Sequence, residues 1–439
     1  MKNNQLNHRM LLSLAIPMIL TNISTPLLGL VDTAVLGHLD SEQYLAAVAL
    51  GGLIFSFVFW GFGFLRMGTT GQTAQAFGEN NQQQIFSILI RSIILALLIS
   101  TTLILAAPLI ADMSFKLLES SVLVEQSASE YFHIRIWSAP ATLCQYVLMG
   151  WFLGRQNVRY PLLVMLITNL SNIFLDVYFV YHLKMQVEGV AMATVIAEYL
   201  GLIVGLVVTV KTIKRWKGRL NWQKIINLAQ FKKLFVINSH LFVRTWCLIF
   251  AFAFFTTQAA KMGPVILAAN AVLLNFQTFM SYALDGFAHA VEALVGNAIG
   301  AGNRLMLKQA VLTAVFWSLI VAVIFTLIYY YYGVQIINLL TNIGAVKSVA
   351  YDYLPFLIIM PSVSFVCYLM DGVFIGAMRT KAMRNTMIFS LLMVYIPVWY
   401  MTQGMGNKGL WLAMLTFMFA RSISMLIVYK TKRLINISE

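Results

Sequence analysis

Apolar runs of roughly 20 residues recur along the whole chain, the length of helix needed to cross about 30 Å of hydrocarbon. With their polar interruptions they predict twelve helices: residues 10–37, 44–72, 85–111, 127–154, 160–182, 188–210, 234–260, 265–299, 306–333, 346–377, 384–403 and 408–430. Ten-residue segments of alternating polarity, the mark of a membrane barrel, are absent. The first run continues well past signal-peptide length without a small-residue cleavage site, so it reads as a retained helix.

The pattern also repeats. A shift of 222 residues aligns Leu45, Ala46, Ala47 and Ala49 with Leu267, Ala268, Ala269 and Ala271. Without a gap, the same shift pairs Ala76, Gly78 and Asn81 with Ala298, Gly300 and Asn303, and Gly150, Phe152 and Gly154 with Gly372, Phe374 and Gly376. The prediction is therefore an all-α membrane protein of two parallel six-helix repeats, because an even number of crossings starts both repeats from the same side. The domains follow: residues 1–210 as an N-terminal lobe, 211–233 as a linker and 234–439 as a C-terminal lobe. In transporters built from such repeats, substrate binds near the midplane and access alternates as the repeats rock.

Composition sharpens this picture. The chain is 60% hydrophobic and 10% charged, far from a water-soluble domain. A net charge of +14 would suit nucleic acid, but the bases collect on one side of the predicted bundle. The Lys211–Lys233 connection alone holds eight bases and no acid. This positive-inside asymmetry puts both termini in the cytoplasm of a multi-pass inner (plasma) membrane protein and removes nucleic acid from the expected partners, leaving the lipid bilayer. Anionic lipid head groups are a secondary reading of the basic linker. Cys144, Cys247 and Cys367 all lie in apolar runs without metal spacing and read as core residues. No phosphate loop, HExxH or nucleophile elbow occurs, so no catalytic residues, metal or cofactor are expected and the chain does not read as an enzyme.

What remains is a set of polar groups at membrane depth, where charge is costly and commonly retained for transport. In the first predicted helix, Thr21, Thr25, Gly29 and Asp32 fall on one face, and Pro17 and Pro26 make the helix bendable. The fifth helix supplies Asn169, Asn172 and Asp176 at spacings of three and four; the sixth supplies Thr194 and Glu198. With Asp32 these residues can line one polar pocket, in which two carboxylates would titrate as a coupled pair. The alternative for the asparagines is interhelical hydrogen bonding. In the second half, Asp285, His289 and Glu292 share a face of the eighth helix and Asp371 lies in the tenth. They could contribute oxygens to a Na⁺ site or, through His289, a proton relay. Arg66 and Arg244 are intramembrane bases expected to form ion pairs with these acids.

Several runs resemble the multidrug and toxic compound extrusion (MATE) transporters, and among them the DinF-like branch: PLLGLVDTAVLGHL around Asp32, the NxxxD of Asn172 and Asp176, GVAMAT from Gly189, LDGFAHAVEALVG from Leu284 and DGVFIGAMRT from Asp371. The resemblance covers essentially the whole chain. It implies V-shaped lobes and a secondary active transporter, expected as a monomer, exporting small cationic or amphipathic toxic compounds in antiport with H⁺ or Na⁺. It implies that Asp32 is the cation-coupling acid with Asn172, Asp176 and Thr194 in its network, and that Pro17 is the hinge of a first helix that bends on protonation; Asp32, Asn169, Asn172 and Asp176 are the expected substrate contacts, with Pro26 a second point of bending. In the Na⁺-using branch a seventh-helix glutamate joins the tenth-helix aspartate. Here that helix carries Arg244 and no carboxylate, which favours H⁺. The same superfamily contains flippases of lipid-linked saccharides, whose cavities are commonly cationic; the acidic and aromatic candidates here suit cations instead.

Overall fold

The computed structural model describes residues 8–36, 42–118, 121–215 and 221–431; the side chains of residues 25–36, 42, 117, 118 and 224 lie outside the description. The described chain is helical throughout: α1 (His8–Leu36), α2 (Glu42–Gly61), α3 (Phe64–Gly78), α4 (Gln82–Leu105), α5 (Ala107–Leu118), α6 (Val122–Arg135), α7 (Ala139–Gly154), α8 (Arg159–Val177), α9 (Val187–Lys214), α10 (Trp222–Ile225), α11 (Leu228–Lys261), α12 (Pro264–Gly300), α13 (Arg304–Leu340), α14 (Gly344–Gly376), α15 (Thr380–Phe389), α16 (Ile396–Thr402) and α17 (Asn407–Thr431). Ten of its continuous helical stretches are long and apolar enough to cross a membrane among the described residues. With α1 and the α6–α7 run they account for the twelve expected crossings, so this is a multi-pass membrane protein.

The extra breaks have local causes. At Phe62 and Gly63 the backbone bonds tighten to three-residue steps, dividing the second span into α2 and α3 at a glycine-rich turn. Pro108 divides the third span into α4 and α5, and a short 3₁₀ turn at Ile136–Ser138 precedes Pro140 in the fourth. A π-helical stretch, Ser390–Tyr395, widens the eleventh span just before Pro397, whose missing N–H leaves a carbonyl without its usual helical partner.

By contacts the chain forms two compact units, residues 23–234 and residues 1–22 with 235–439. This differs from the division read from sequence, which kept residues 1–22 with the N-terminal lobe. The first half of α1 instead packs on α12 and α13. Asn22 Nδ2 donates to the Tyr282 carbonyl at 3.1 Å, Trp317 Nε1 donates to His8 Nδ1 at 3.1 Å, and Ile19 lies where a Cβ on Gly286 would fall. The boundary in α1, Asn22 to Ile23, lies between its two prolines. Ile225 of the linker is buried, and Gln83 on α4 exchanges hydrogen bonds with Asn221, which pins the end of the linker to the N-terminal unit.

The repeat is visible in local geometry. Asn81 caps α4 by accepting from Gln84 N at 3.0 Å, and Asn303 caps α13 by accepting from Met306 N at 2.9 Å. Left-handed residues precede both caps, Asn80 (φ 55°) and Gly302 (φ 65°), and recur at Gln156 (φ 58°) and Met378 (φ 55°). A Cβ on Gly154 would stand 2.7 Å from the Thr70 carbonyl oxygen, and one on Gly376 would stand 2.5 Å from that of Glu292. All four pairs obey the one sequence shift, so α3 crossing α7 in one unit reproduces α12 crossing α14 in the other.

Candidate functional site

Helix α8 buries Pro161, Val164, Thr168, Asn172 and Asp176, a stripe of three- and four-residue steps. Against it, α9 presents Gly189, Ala193, Ala197, Gly201 and Gly205, four residues apart, so the two backbones approach closely. A Cβ on Gly201 would collide with Thr168 Oγ1 and stand 3.0 Å from Gln145 Nε2, so this glycine lets α7, α8 and α9 meet. Across the contact Asn172 Nδ2 donates to Thr194 Oγ1 at 3.4 Å, and that hydroxyl donates to the Val190 carbonyl at 3.0 Å. Asp176, one turn beyond Asn172, is 0% exposed.

Asn169 stands apart from Asn172 and Asp176. It is half-buried, and its amide donates to Met165 Sδ at 3.4 Å, a sulfur that also accepts from Ser24 of α1. Thr168 occupies the stripe position, four residues before Asn172. The side chains of Asp32 and Pro26 lie outside the described residues, although α1 is helical through both positions, and Pro17 lies inside the same helix. Glu198, one turn beyond Thr194, accepts from Gln145 Nε2 at 2.8 Å.

The C-terminal unit arranges its charges differently. Asp371 on α14 accepts with Oδ2 from Arg244 on α11 and, at 3.0 Å, from Arg421 on α17. All three side chains are buried, and Arg421, 2% exposed, also lies over the Phe417 ring at 5.6 Å. The ion pair expected of Arg244 is thus formed, and with two bases rather than one. Asp285, half-buried on α12, is in electrostatic reach of Arg421 and of Tyr368, whose hydroxyl accepts from Gln277 at 3.1 Å. His289 Nδ1 is 3.9 Å from Glu292 Oε2. Among the described residues no three His, Cys, Asp or Glu side chains come together in a metal-binding group.

Sequence reasoning did not single out Arg421, Gln145 or the buried exchange between Asn270 and Asn407, whose amides donate to each other at 2.7 and 3.0 Å while Trp411 donates to Asn270 at 2.9 Å. Arg421 carried a signal, a lone base inside an apolar span. Gln145 and Asn270 carried little, since a single amide in a long apolar run has no partner visible along the chain.

A duplicated all-helical membrane bundle, with polar groups gathered inside each unit, is the architecture of a membrane transporter. The MatE family profile matches residues 17–178 and again residues 241–401, one match in each repeat, and the chain belongs to this family of transporters, which are not enzymes. It is 41% identical to the DNA damage-inducible protein F of Escherichia coli (strain K12), over 95% of this chain and 91% of that protein. It is 24% identical to the probable multidrug resistance protein NorM of Thermotoga maritima, over 95% and 91% of the two chains. Its fold superposes on the Vibrio cholerae MATE transporter VcmN in the bent form with a TM-score of 0.84 at 22% identity, covering 96% of each chain.

Proposed function

We propose that the chain is a secondary active multidrug efflux transporter, exporting cationic or amphipathic toxic compounds in antiport with H⁺ by alternating access, with protonation of Asp32 coupled to bending of α1. In this reading it acts as a monomer in the inner membrane with both termini cytoplasmic. The observation that carries it is the buried Asn172–Thr194 contact beside Asp176, in the same unit as the second half of α1. Ser24 of α1 meets Met165 of α8, and the first and fifth crossings run in the same direction. Eight helical steps beyond Ser24, about 12 Å, bring the backbone to residue 32; seven to eleven steps beyond Met165, about 10 to 16 Å, reach Asn172 and Asp176. This overlap in depth supports Asp32 as a neighbour of that contact.

The prolines support a bending α1, and a relative of this fold is described in a bent form. The NorM relative's description supports a drug substrate. The C-terminal unit favours H⁺ over Na⁺, since a cation approaching Asp371 meets two guanidinium groups. Energetically a proton is sufficient: one pH unit is worth about 1.4 kcal/mol and 100 mV about 2.3 kcal/mol per charge.

The test is transport of a cationic dye by proteoliposomes under an imposed pH gradient, then an imposed Na⁺ gradient. The pH gradient should drive transport, and Asp32→Asn should abolish it while the protein stays folded. Undiminished transport by Asp32→Asn, or drive by Na⁺ alone, would overturn the coupling scheme.

A further inference from the structure

Glu198 stands outside the residues assigned above to proton coupling. Its neighbours one and two turns away on the same side of α9, namely Ala191, Thr194, Gly201 and Gly205, are all buried, yet Glu198 itself keeps partial exposure. The partial exposure of a carboxylate on that inward side leaves it within reach of a ligand. Burying a charge without such access, or without full pairing, is costly.

The group is held in place. Gln145 Nε2 donates both to Glu198 Oε2 at 2.8 Å and to the Glu198 main-chain carbonyl at 2.7 Å, so one amide fixes side chain and backbone together. Gln145 is itself 7% exposed, and its approach to α9 depends on Gly201. The Arg135 charge on α6 is in electrostatic reach, and its guanidinium donates to the Tyr131 hydroxyl and lies over the Phe55 ring at 5.3 Å and the Tyr131 ring at 5.5 Å. Those contacts hold the guanidinium toward α2 and α6. Tyr146 also lies in electrostatic reach of Glu198.

We propose that Glu198, positioned by Gln145, is the anchor for the positive group of a lipophilic cation, a recognition site one turn from the Asn172–Thr194 contact and distinct from the carboxylate that carries the proton. The assignment rests on the export reading given above. A fixed carboxylate offers a lipophilic cation Coulombic attraction at low ordering cost. Glutamine at this position keeps the shape and still accepts from Gln145, so Glu198→Gln removes the charge with little disturbance of the helix contact.

The experiment compares tetraphenylphosphonium, a permanent cation, with the neutral amphiphile N-phenyl-1-naphthylamine, binding each to purified full-length protein. Glu198→Gln should lower the ratio of cation to neutral affinity at least tenfold, and Gln145→Ala should lower it less. In proteoliposomes Glu198→Gln should raise KM for the cation while the maximal proton-driven rate stays near that of the parent, whereas Asp32→Asn loses the rate itself. An unchanged affinity ratio, or equal loss of both ligands with an unchanged melting temperature, would overturn the assignment. A parent protein that binds neither ligand would overturn the export reading and this assignment together.

Discussion

The two units share a register and a backbone plan but hold their buried polar groups by different contacts. In the C-terminal unit the tenth-span acid is clasped by two arginines from other helices, one of them 127 residues upstream and the other 50 downstream. In the N-terminal unit the equivalent register holds Met149, and the buried polar groups on α8 and α9 meet through amide and hydroxyl contacts, with Glu198 held by Gln145. An aspartate between two guanidiniums is committed to structure. Glu198 is held by a neutral amide, with the Arg135 charge in electrostatic reach. Duplication supplied two equal scaffolds, and the clasp on Asp371 has no counterpart at Met149 in the first.

The largest effect should come from breaking the arginine clasp. Asp371→Leu leaves two buried guanidiniums without their shared acid, and such losses cost about 3–5 kcal/mol. A large fall in melting temperature in detergent is expected, and an unchanged value would show that the clasp carries no structural weight. Replacing the whole group, Arg244→Met with Asp371→Leu and Arg421→Met, should restore most of that stability, because apolar replacement of a complete buried ion pair is often neutral or stabilising. Proton-driven transport should survive the triple substitution; its loss would give the C-terminal unit a part in coupling.

The shared scaffold makes the next prediction symmetric. Gly154→Val and Gly376→Val each drive a side chain into the facing carbonyl of α3 or α12, and overpacking of this kind costs about 1–3 kcal/mol. Similar drops in melting temperature are expected from both. A large difference between them would mean that the two crossings are not mechanically equivalent.

The smallest effect should come from Thr194→Val. Its 3.4 Å bond from Asn172 is long, and interhelical bonds of this type are worth about 0.6 kcal/mol. The melting temperature should barely move, whereas the pH dependence of transport should shift if Thr194 tunes the coupling acid. A pH profile identical to that of the parent would make the contact a packing feature only.

Part of the site was legible in advance. Asn172, Asp176 and Thr194 stood out because a polar group in an apolar span is rare, and helical spacing placed Asn172 and Asp176 on one side. The same spacing argument admitted Asn169, which proves half-buried and turned toward Met165, since a step of three leaves a residue at the edge of a stripe where a step of four keeps it central. The expected pair of Arg244 with a second-half acid was legible as a demand for a partner. That Arg421 shares the same oxygen was not.

The sequence by itself determined the number of crossings, the duplication and its register, and which polar residues lie at membrane depth. These are local or periodic properties: a bilayer demands about 20 apolar residues per helix and satisfies the backbone within each helix. Only the tertiary structure decided that the first half of α1 joins the C-terminal helices, that Gln145 reaches Glu198, and that Asp371 is neutralised twice. Each of these depends on where two helices cross and how closely small residues such as Gly201 and Gly286 let them approach, and spacing along one chain does not encode that distance.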